Sequence, residues 1–137
     1  MKARLIGSWR LVSYETTDAN GRKGTPYGEA VGRISYDADG NMTGQVMRPD
    51  RAPVGAGESQ AQDAKAAYLG YIAYFGTYDV AADGRSVVHH VQGSLNPAWV
   101  GGDQVRQLRF EGERLILSTA TSRKGVAITH ELTWERC

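Results

Sequence analysis

The sequence predicts an all-β protein in which about eight strands form an antiparallel up-and-down barrel, with one short helix as a lid or plug. Three observations predict this fold. Strand-like segments recur at a spacing of roughly ten residues, and most of them are joined by short turns rich in Gly, Asn or Asp. Only one long segment carries a helical pattern. At 137 residues the chain has the length of a single domain, residues 1–137.

The predicted strands share frequent β-branched and aromatic residues and an alternation of apolar and polar side chains. Turn residues separate them, as at Asp39-Gly40, where a hairpin turn joins the second strand to the third. The predicted strands are residues 6–16, 32–36, 42–47, 77–80, 86–94, 104–111, 115–121 and 126–134.

A helix is predicted over residues 59–74, after a Pro- and Gly-rich loop at 48–57. Ser59 with Gln62 three residues later forms a capping-box pattern, and alanine is abundant beyond it. Four apolar side chains then follow at i, i+3, i+4 and i+7: Tyr68, Tyr71, Ile72 and Phe75. One face of the helix would therefore be aromatic and buried against the sheet, and the loop with the helix is a candidate lid.

The strand pattern fits a sandwich or a barrel, and the barrel is favoured because a long meander leaves two strands with unpaired edges, which closure removes. A barrel of about eight strands has room for side chains and one small ligand. In a closed meander the first and last strands are neighbours, which would bring the Arg136 guanidinium over the Trp9 ring in a cation–π contact.

Charge and composition exclude several classes of partner. Lys and Arg total 16 against 15 Asp and Glu, so a net charge of +1 gives no field for nucleic acid or an anionic membrane. The start, MKARLIGSWRL, lacks the apolar segment of a signal peptide, and no apolar run is long enough to span a membrane. The one cysteine, Cys137, fits a reducing compartment. We expect a cytoplasmic location.

Four segments of the sequence, in the same order along the chain, resemble a known family. They are GSWRLVSYE, DGNMTGQVMRPDR, HHVQGSLNPAWVGGDQVRQLRFEGERLILST and LTWER. The chain resembles the lipocalin-like domain family of small bacterial and fungal calycin-type barrels. The resemblance implies an antiparallel barrel with an internal cavity for a small, mostly apolar molecule. It implies no catalytic residues.

Polar side chains on the inner face of the barrel are the candidate site residues, because successive side chains of a strand point to opposite faces. Arg106 shares its face with Leu108 and Phe110, which points Arg106 inward and places Gln104 near the mouth. His130 lies on the apolar face of the last strand. Whether it binds a ligand or only completes the core stays open.

The adjacent pair His89 and His90 must point to opposite faces, so one of them faces the interior. Shared parity with two valines favours His89, although a bulge near Gly93 could reverse the assignment. Tyr36 shares a strand face with Ile34, and Tyr78 shares one with Val80; if these faces point inward, both tyrosine hydroxyls lie in the lumen. Burying such groups unpaired is costly, so either an internal network or a ligand must satisfy them.

These residues support two main hypotheses. The first is a small-molecule binding protein, with Trp99 as a candidate gate at the rim and eight candidate ligand-binding residues: Arg106, His130, His89, His90, Tyr36, Tyr78, Gln104 and Trp99. The second is a cofactor-free isomerase, cyclase or hydratase using acid/base chemistry, with His89, His90, His130 and Tyr36 as candidate catalytic groups. A barrel filled by its own side chains is the remaining alternative.

Other chemistries are not indicated. His89 and His90 face opposite ways, so no face offers the three ligands usual for catalytic zinc, and we expect no metal. The glycines at 55–57 and 101–102 lack phosphate-loop spacing, and we expect no cofactor. No Gly-x-Ser-x-Gly elbow occurs. Outward apolar residues leave a homodimer possible.

Overall fold

The computed structural model describes residues 2–137, which form a closed barrel with two short helices. The antiparallel strands follow one another around the barrel in chain order, apart from the two-residue strand β2. In chain order the elements are α1 (Lys2–Leu5), β1 (Gly7–Asp18), β2 (Lys23–Gly24), β3 (Val31–Tyr36), β4 (Asn41–Met47), α2 (Gln60–Leu69), β5 (Tyr71–Val80), β6 (Ser86–Ser94), a 3₁₀ helix (Pro97–Trp99), β7 (Asp103–Glu111), β8 (Arg114–Arg123) and β9 (Val126–Arg136).

Pairing between the first and last long strands closes the barrel. β1 pairs with β3 on one side and with β9 on the other, from Trp9 opposite Arg136 to Asp18 opposite Ile128. β2 only extends the edge beside Thr16 and Thr17, so eight strands make the wall. The predicted antiparallel up-and-down barrel of eight strands is confirmed, with β2 as one extra strand.

The end of the barrel next to α1 is filled by core side chains. Leu5 and Trp9 are almost fully buried there, and the Trp9 indole N–H donates a 2.9 Å hydrogen bond to the Leu5 carbonyl. The Arg136 guanidinium lies 4.1 Å from the centre of the Trp9 ring and donates to the Ile6 carbonyl. The predicted cation–π contact is therefore present, and the buried Trp9 ring fills this end, which we call the closed end.

Two β-bulges decide which side chains face inward. A register shift between Leu11 and Ser13 leaves Val12 without a partner on β9, so Tyr14 points inward together with Leu11. A second shift lies between Phe75 and Gly76, opposite the end of β6. The extra residue of this second bulge is Gln92 on β6, which comes after His89 in the chain, so the bulge does not reverse the inward direction of His89.

The helix predicted over 59–74 is shorter in the structure, because α2 ends at Leu69 and Tyr71 begins β5. The run YIAYFGTYDV is rich in β-branched and aromatic residues and pairs with β4 from Tyr71 opposite Met47. The helical spacing of Tyr68 with Tyr71 was therefore coincidental. None of the residues of α2, all of which the structure describes, is buried, so the predicted buried aromatic face is wrong. The Ser59 side chain makes no capping hydrogen bond and instead contacts Asp63.

Three hydrogen bonds hold α2 and its preceding loop near the end of the barrel opposite α1. Tyr27 donates to the Leu69 carbonyl at 3.0 Å, and Arg51 donates to the Ala67 carbonyl at 3.0 Å. Arg48 donates to the Pro26 carbonyl at 2.9 Å. The helix thus lies beside the mouth of the barrel. Within residues 2–137, none of the helices has the length and apolar character needed to cross a membrane.

Candidate functional site

A cavity of about 530 Å³ occupies the half of the barrel that lies away from α1. Its volume is within the usual range for small-molecule sites, roughly 300–1,000 Å³. Aromatic and aliphatic side chains from β1, β3, β4, β5, β8 and β9 form most of its wall, and Tyr68, Leu69 and Trp99 stand at its mouth. The polar side chains of the wall are few: Gln45, Asn96, Gln104, Arg106, Thr119, Thr121 and His130, besides the tyrosine hydroxyls.

Arg106, on β7, brings a positive charge into this cavity. Its guanidinium donates to the Val105 carbonyl and to the Gln104 side-chain oxygen, both at 3.0 Å. Among residues 2–137 no carboxylate forms an ion pair with Arg106, and no acidic residue lines the cavity. On the outer face of the same strand Arg109 is paired with Glu131 at 3.0 Å. The inward guanidinium therefore lacks the counter-ion that its outward neighbour has.

His89, on β6, lies in the barrel wall behind Tyr74 and is 1% exposed. Its Nε2 is 2.7 Å from the Tyr36 hydroxyl, and its Nδ1 is 2.7 Å from the Tyr74 hydroxyl. Burial, with a smaller contribution from the Arg106 charge, lowers the pKa of His89 to about 3. The imidazole is therefore neutral at physiological pH, and both of its nitrogens are already hydrogen-bonded.

His130, on β9, reaches the cavity directly. Its Nδ1 lies 2.7 Å from the Tyr14 hydroxyl, and its Nε2 lies 2.9 Å from the Thr121 hydroxyl. Partial burial and then the Arg106 charge lower the pKa of His130, so this imidazole is also neutral near pH 7. Arg106 is consequently the one formal charge on the side chains that line the cavity.

Trp99 and Gln104 lie at the cavity as the sequence predicts. The 3₁₀ helix carries Trp99, whose ring meets the Tyr74 ring edge to face at 6.0 Å between centroids. The Asn96 side chain caps this helix by accepting from the Ala98 amide. The rim loop is thus locally ordered, and Trp99 covers the wall residue Tyr74.

Two of the candidate residues lie away from the cavity. His90 faces outward, where its ring nitrogens are each 2.8 Å from a carboxylate oxygen, of Asp79 and of Asp103, and these carboxylates raise its pKa. Tyr78 is buried at the closed end, where its hydroxyl donates to the Asp37 carbonyl at 2.7 Å. The structure brings Arg106, Gln104, His130 and Trp99 together at the cavity. It sets His89 and Tyr36 one layer behind the cavity wall.

None of the five tyrosines that line the cavity was among the candidate site residues: Tyr14, Tyr27, Tyr68, Tyr71 and Tyr74. Tyr14 and Tyr74 bond the two inward histidines, and Tyr27 packs edge to face against Tyr14 at 5.7 Å. Tyr74 falls in the region mistaken for helix, and Tyr14 has outward parity unless the bulge at Val12 is known. The concentration of tyrosine, seven in the chain, is the one signal that could have pointed to them.

This arrangement can hold a molecule with an apolar body and can neutralise a negative charge. Aromatic walls favour a flat apolar body, and an unpaired guanidinium in a partly desolvated site favours an oxyanion. Within residues 2–137 no three His, Cys, Asp or Glu side chains are grouped closely enough to hold a metal ion.

A closed eight-stranded antiparallel barrel with an internal cavity defines a small barrel of the type that encloses ligands. The family model of the lipocalin-like domain matches residues 6–137, and the chain belongs to this family. A search of curated proteins finds no match.

Proposed function

We propose that this protein binds a small, mostly apolar molecule that carries a polar or anionic group, inside the barrel cavity. The unpaired Arg106 guanidinium in an otherwise uncharged cavity is the observation that carries the proposal. Arg106 is partly buried, and a charge that is partly removed from water without a counter-ion is less favourable than a paired one. A ligand oxyanion would supply the missing partner, through charge-assisted hydrogen bonds from the planar guanidinium.

The remaining wall supports the apolar part of the proposal. Ile34, Val46, Ile72, Leu117 and Leu132 face the cavity, and burying a ligand's apolar surface against them contributes about 25 cal/mol per Å² before the costs of association. A volume of about 530 Å³ is enough for a ligand of two or three fused or linked rings. The fold family supplies the general precedent of a small hydrophobic ligand.

The test uses two fluorescent probes that share one apolar body, anilinonaphthalene sulfonate and its uncharged parent N-phenylnaphthylamine. Arg106→Met should weaken sulfonate binding by roughly 10- to 100-fold, the usual range for a lost charged hydrogen bond, and should change binding of the uncharged probe by less than about twofold. The matched control is Arg109→Met, the same change on the outer face of β7. Equal losses for both probes in Arg106→Met, or no binding of either probe to the wild type, would contradict the proposal.

A cofactor-free acid/base enzyme is the second candidate, and one observation favours it. A neutral imidazole, His130, shares the cavity with the Arg106 cation. His130 could take a proton from the carbon beside a ligand carbonyl, while Arg106 stabilises the enolate oxygen that forms. Return of the proton to another carbon of a conjugated enolate, or to the opposite face of the same carbon, completes an isomerisation. Deuterium exchange into β-tetralone in heavy water tests this function. Exchange at the buffer rate, or exchange that His130→Gln leaves unchanged, would refute it.

A further inference from the structure

Three side chains form a hydrogen-bonded chain from the core of the closed end to the cavity wall. The Tyr36 hydroxyl contacts His89 Nε2, and His89 Nδ1 contacts the Tyr74 hydroxyl, each at 2.7 Å. Tyr36 and His89 are 2% and 1% exposed, whereas Tyr74 lines the cavity. The chain therefore has one end buried in the core and one end on a residue that lines the cavity.

The buried end fixes the direction of the first hydrogen bond. Among residues 2–137 the contact with His89 is the one hydrogen bond that the Tyr36 hydroxyl makes. The neighbouring Tyr78 hydroxyl donates to the Asp37 carbonyl instead. If His89 donated from Nε2, the Tyr36 proton would be left buried without an acceptor, which is the costly outcome. Tyr36 therefore donates to Nε2.

The direction of the first hydrogen bond also fixes the direction of the second, on the other side of the His89 imidazole. A neutral imidazole carries one proton, and His89 is neutral because burial lowers its pKa to about 3. With Nε2 accepting from Tyr36, the proton is on Nδ1, which donates to the Tyr74 oxygen. The Tyr74 hydroxyl then accepts a hydrogen bond from His89, and its own proton is not donated to His89.

We propose that Tyr74 is a fixed hydrogen-bond donor to the ligand, that Tyr36 sets its direction through His89, and that Tyr74 together with Arg106 selects a carboxylate, phenolate or enolate oxygen. The inference rests on the proposed function and names the ligand group. Two donors, one of them charged, favour an oxyanion over a neutral hydroxyl, because the hydroxyl oxygen is the weaker acceptor and its own proton finds no acceptor in either donor. Tyr36 is a positioning residue, because His89 and Tyr74 stand between it and the cavity.

The first experiment reads the His89 tautomer by nitrogen-15 NMR of the imidazole in the full-length protein without ligand. The resonances are assigned by their loss in His89→Gln. A proton on Nδ1 is expected, and a proton on Nε2 would overturn the proposal. This result does not depend on any ligand, so it stands even if the proposed binding function fails.

The second experiment measures whether Tyr36 acts at a distance on ligand selection. Naphthoate and naphthylmethanol have the same apolar body, and both can be titrated by displacement of N-phenylnaphthylamine. Tyr36→Phe removes the donor to Nε2, which frees Nδ1 to accept from Tyr74 and so turns the Tyr74 proton away from the ligand. The preference for naphthoate over naphthylmethanol should fall roughly tenfold or more in Tyr36→Phe and in Tyr74→Phe.

Tyr78→Phe is the matched control, because it removes a buried hydroxyl at the closed end that does not belong to the chain of three. It should leave the preference for naphthoate within about twofold of the wild type. A preference that Tyr36→Phe leaves unchanged while Tyr74→Phe lowers it would overturn the role of Tyr36. A preference unchanged in both variants would overturn the donor role of Tyr74. Failure of the wild type to bind either compound would instead count against the proposed function, and the NMR result would still decide the direction of the chain.

Discussion

The hydroxyl of Tyr36 lies 2.7 Å from Nε2 of His89, and both side chains are almost completely buried. This pair connects β3 and β6 across the barrel core; the two strands are not neighbours in the sheet, since β4 and β5 lie between them. Protonation of His89 would place a positive charge in a buried site, and the charge of Arg106 opposes it electrostatically. The pair therefore makes the barrel sensitive to acid.

Acid should destabilise the barrel through His89. Folding lowers the pKa of His89 from its ordinary 6.5 to about 3, so between these pH values the unfolded chain binds the proton and the folded chain does not. In this window His89 alone should lower the free energy of unfolding by about 1.4 kcal/mol for each unit by which the pH is lowered. Above pH 6.5 the contribution vanishes. Urea unfolding at pH 7 and pH 5 measures the slope.

His89→Gln separates this effect from the other titrating groups. The variant should be less stable at pH 7, because the hydrogen bonds to Tyr36 and Tyr74 are disturbed, and its stability should change less between pH 7 and pH 5 than that of the wild type. His130→Gln is the control. Folding also lowers the pKa of His130, but this side chain is half-buried and therefore more exposed than His89. Equal slopes in wild type and His89→Gln would show that His89 does not cause the acid sensitivity.

Removing the guanidinium of Arg136 should loosen the closed end. Arg136→Met loses the cation–π contact with Trp9 and the hydrogen bond to the Ile6 carbonyl, and we expect a loss of about 1–2 kcal/mol in the free energy of unfolding. Arg114→Met is the control, because Arg114 has only a 3.8 Å contact with Glu135. Chemical denaturation checks both variants, and similar losses would indicate a general effect of charge.

Gly76 should not tolerate a side chain. A Cβ atom added at Gly76 would lie 1.8 Å from the His90 carbonyl oxygen, which belongs to the backbone of the paired strand β6 and cannot turn aside. Gly76→Ala should cost about 2–3 kcal/mol or prevent folding. Gly44→Ala is the control, since its Cβ would meet the Ile34 side chain at an ordinary 3.4 Å, and we expect a change below about 1 kcal/mol. Thermal unfolding ranks the two, and a Gly76→Ala barrel as stable as the wild type would contradict the expected clash.

Arg51 should keep α2 in place. Its guanidinium donates to the Ala67 carbonyl near the end of α2 and lies 5.0 Å from the Tyr71 ring, so it joins α2 to the start of β5. Arg51→Met should raise hydrogen exchange several-fold in α2 and leave exchange in β8 unchanged. Arg33→Met, on the exposed outer face of β3, is the control. If hydrogen exchange in α2 is the same in Arg51→Met as in the wild type, α2 is held by other contacts.

Side-chain alternation was enough to predict much of the site from sequence. Arg106 and His130 face the cavity as their apolar strand neighbours indicate, and His89 rather than His90 faces inward. The reason is that β6, β7 and β9 are regular where these residues lie, so a period of two holds without interruption. Turn residues likewise marked the hairpin at Asp39-Gly40 correctly, because a positive φ is needed there and Gly40 has a φ of 93°.

The sequence reading failed where two periodicities overlap or where a bulge breaks one. The spacing of Tyr68, Tyr71 and Ile72 fits a helix, yet hydrogen bonding to β4 draws the last two into a strand. Tyr74 was lost from the site for this reason. Tyr14 was lost because the unpaired Val12 reverses the inward face of β1, and a single extra residue leaves no signal in composition.

The pairing of β1 with β9 also means that the cyclic order of the strands does not depend on where the chain is cut. The amide of Cys137 donates to the Ser8 carbonyl at 3.1 Å, which brings the end of β9 beside the start of β1 at the closed end. A permuted gene that links these ends through a short spacer and opens the turn at Asp83-Gly84 would keep every neighbouring strand pair intact. The new termini of such a permutant would lie at the turn between β5 and β6, on the closed end, and the mouth of the barrel would be unchanged.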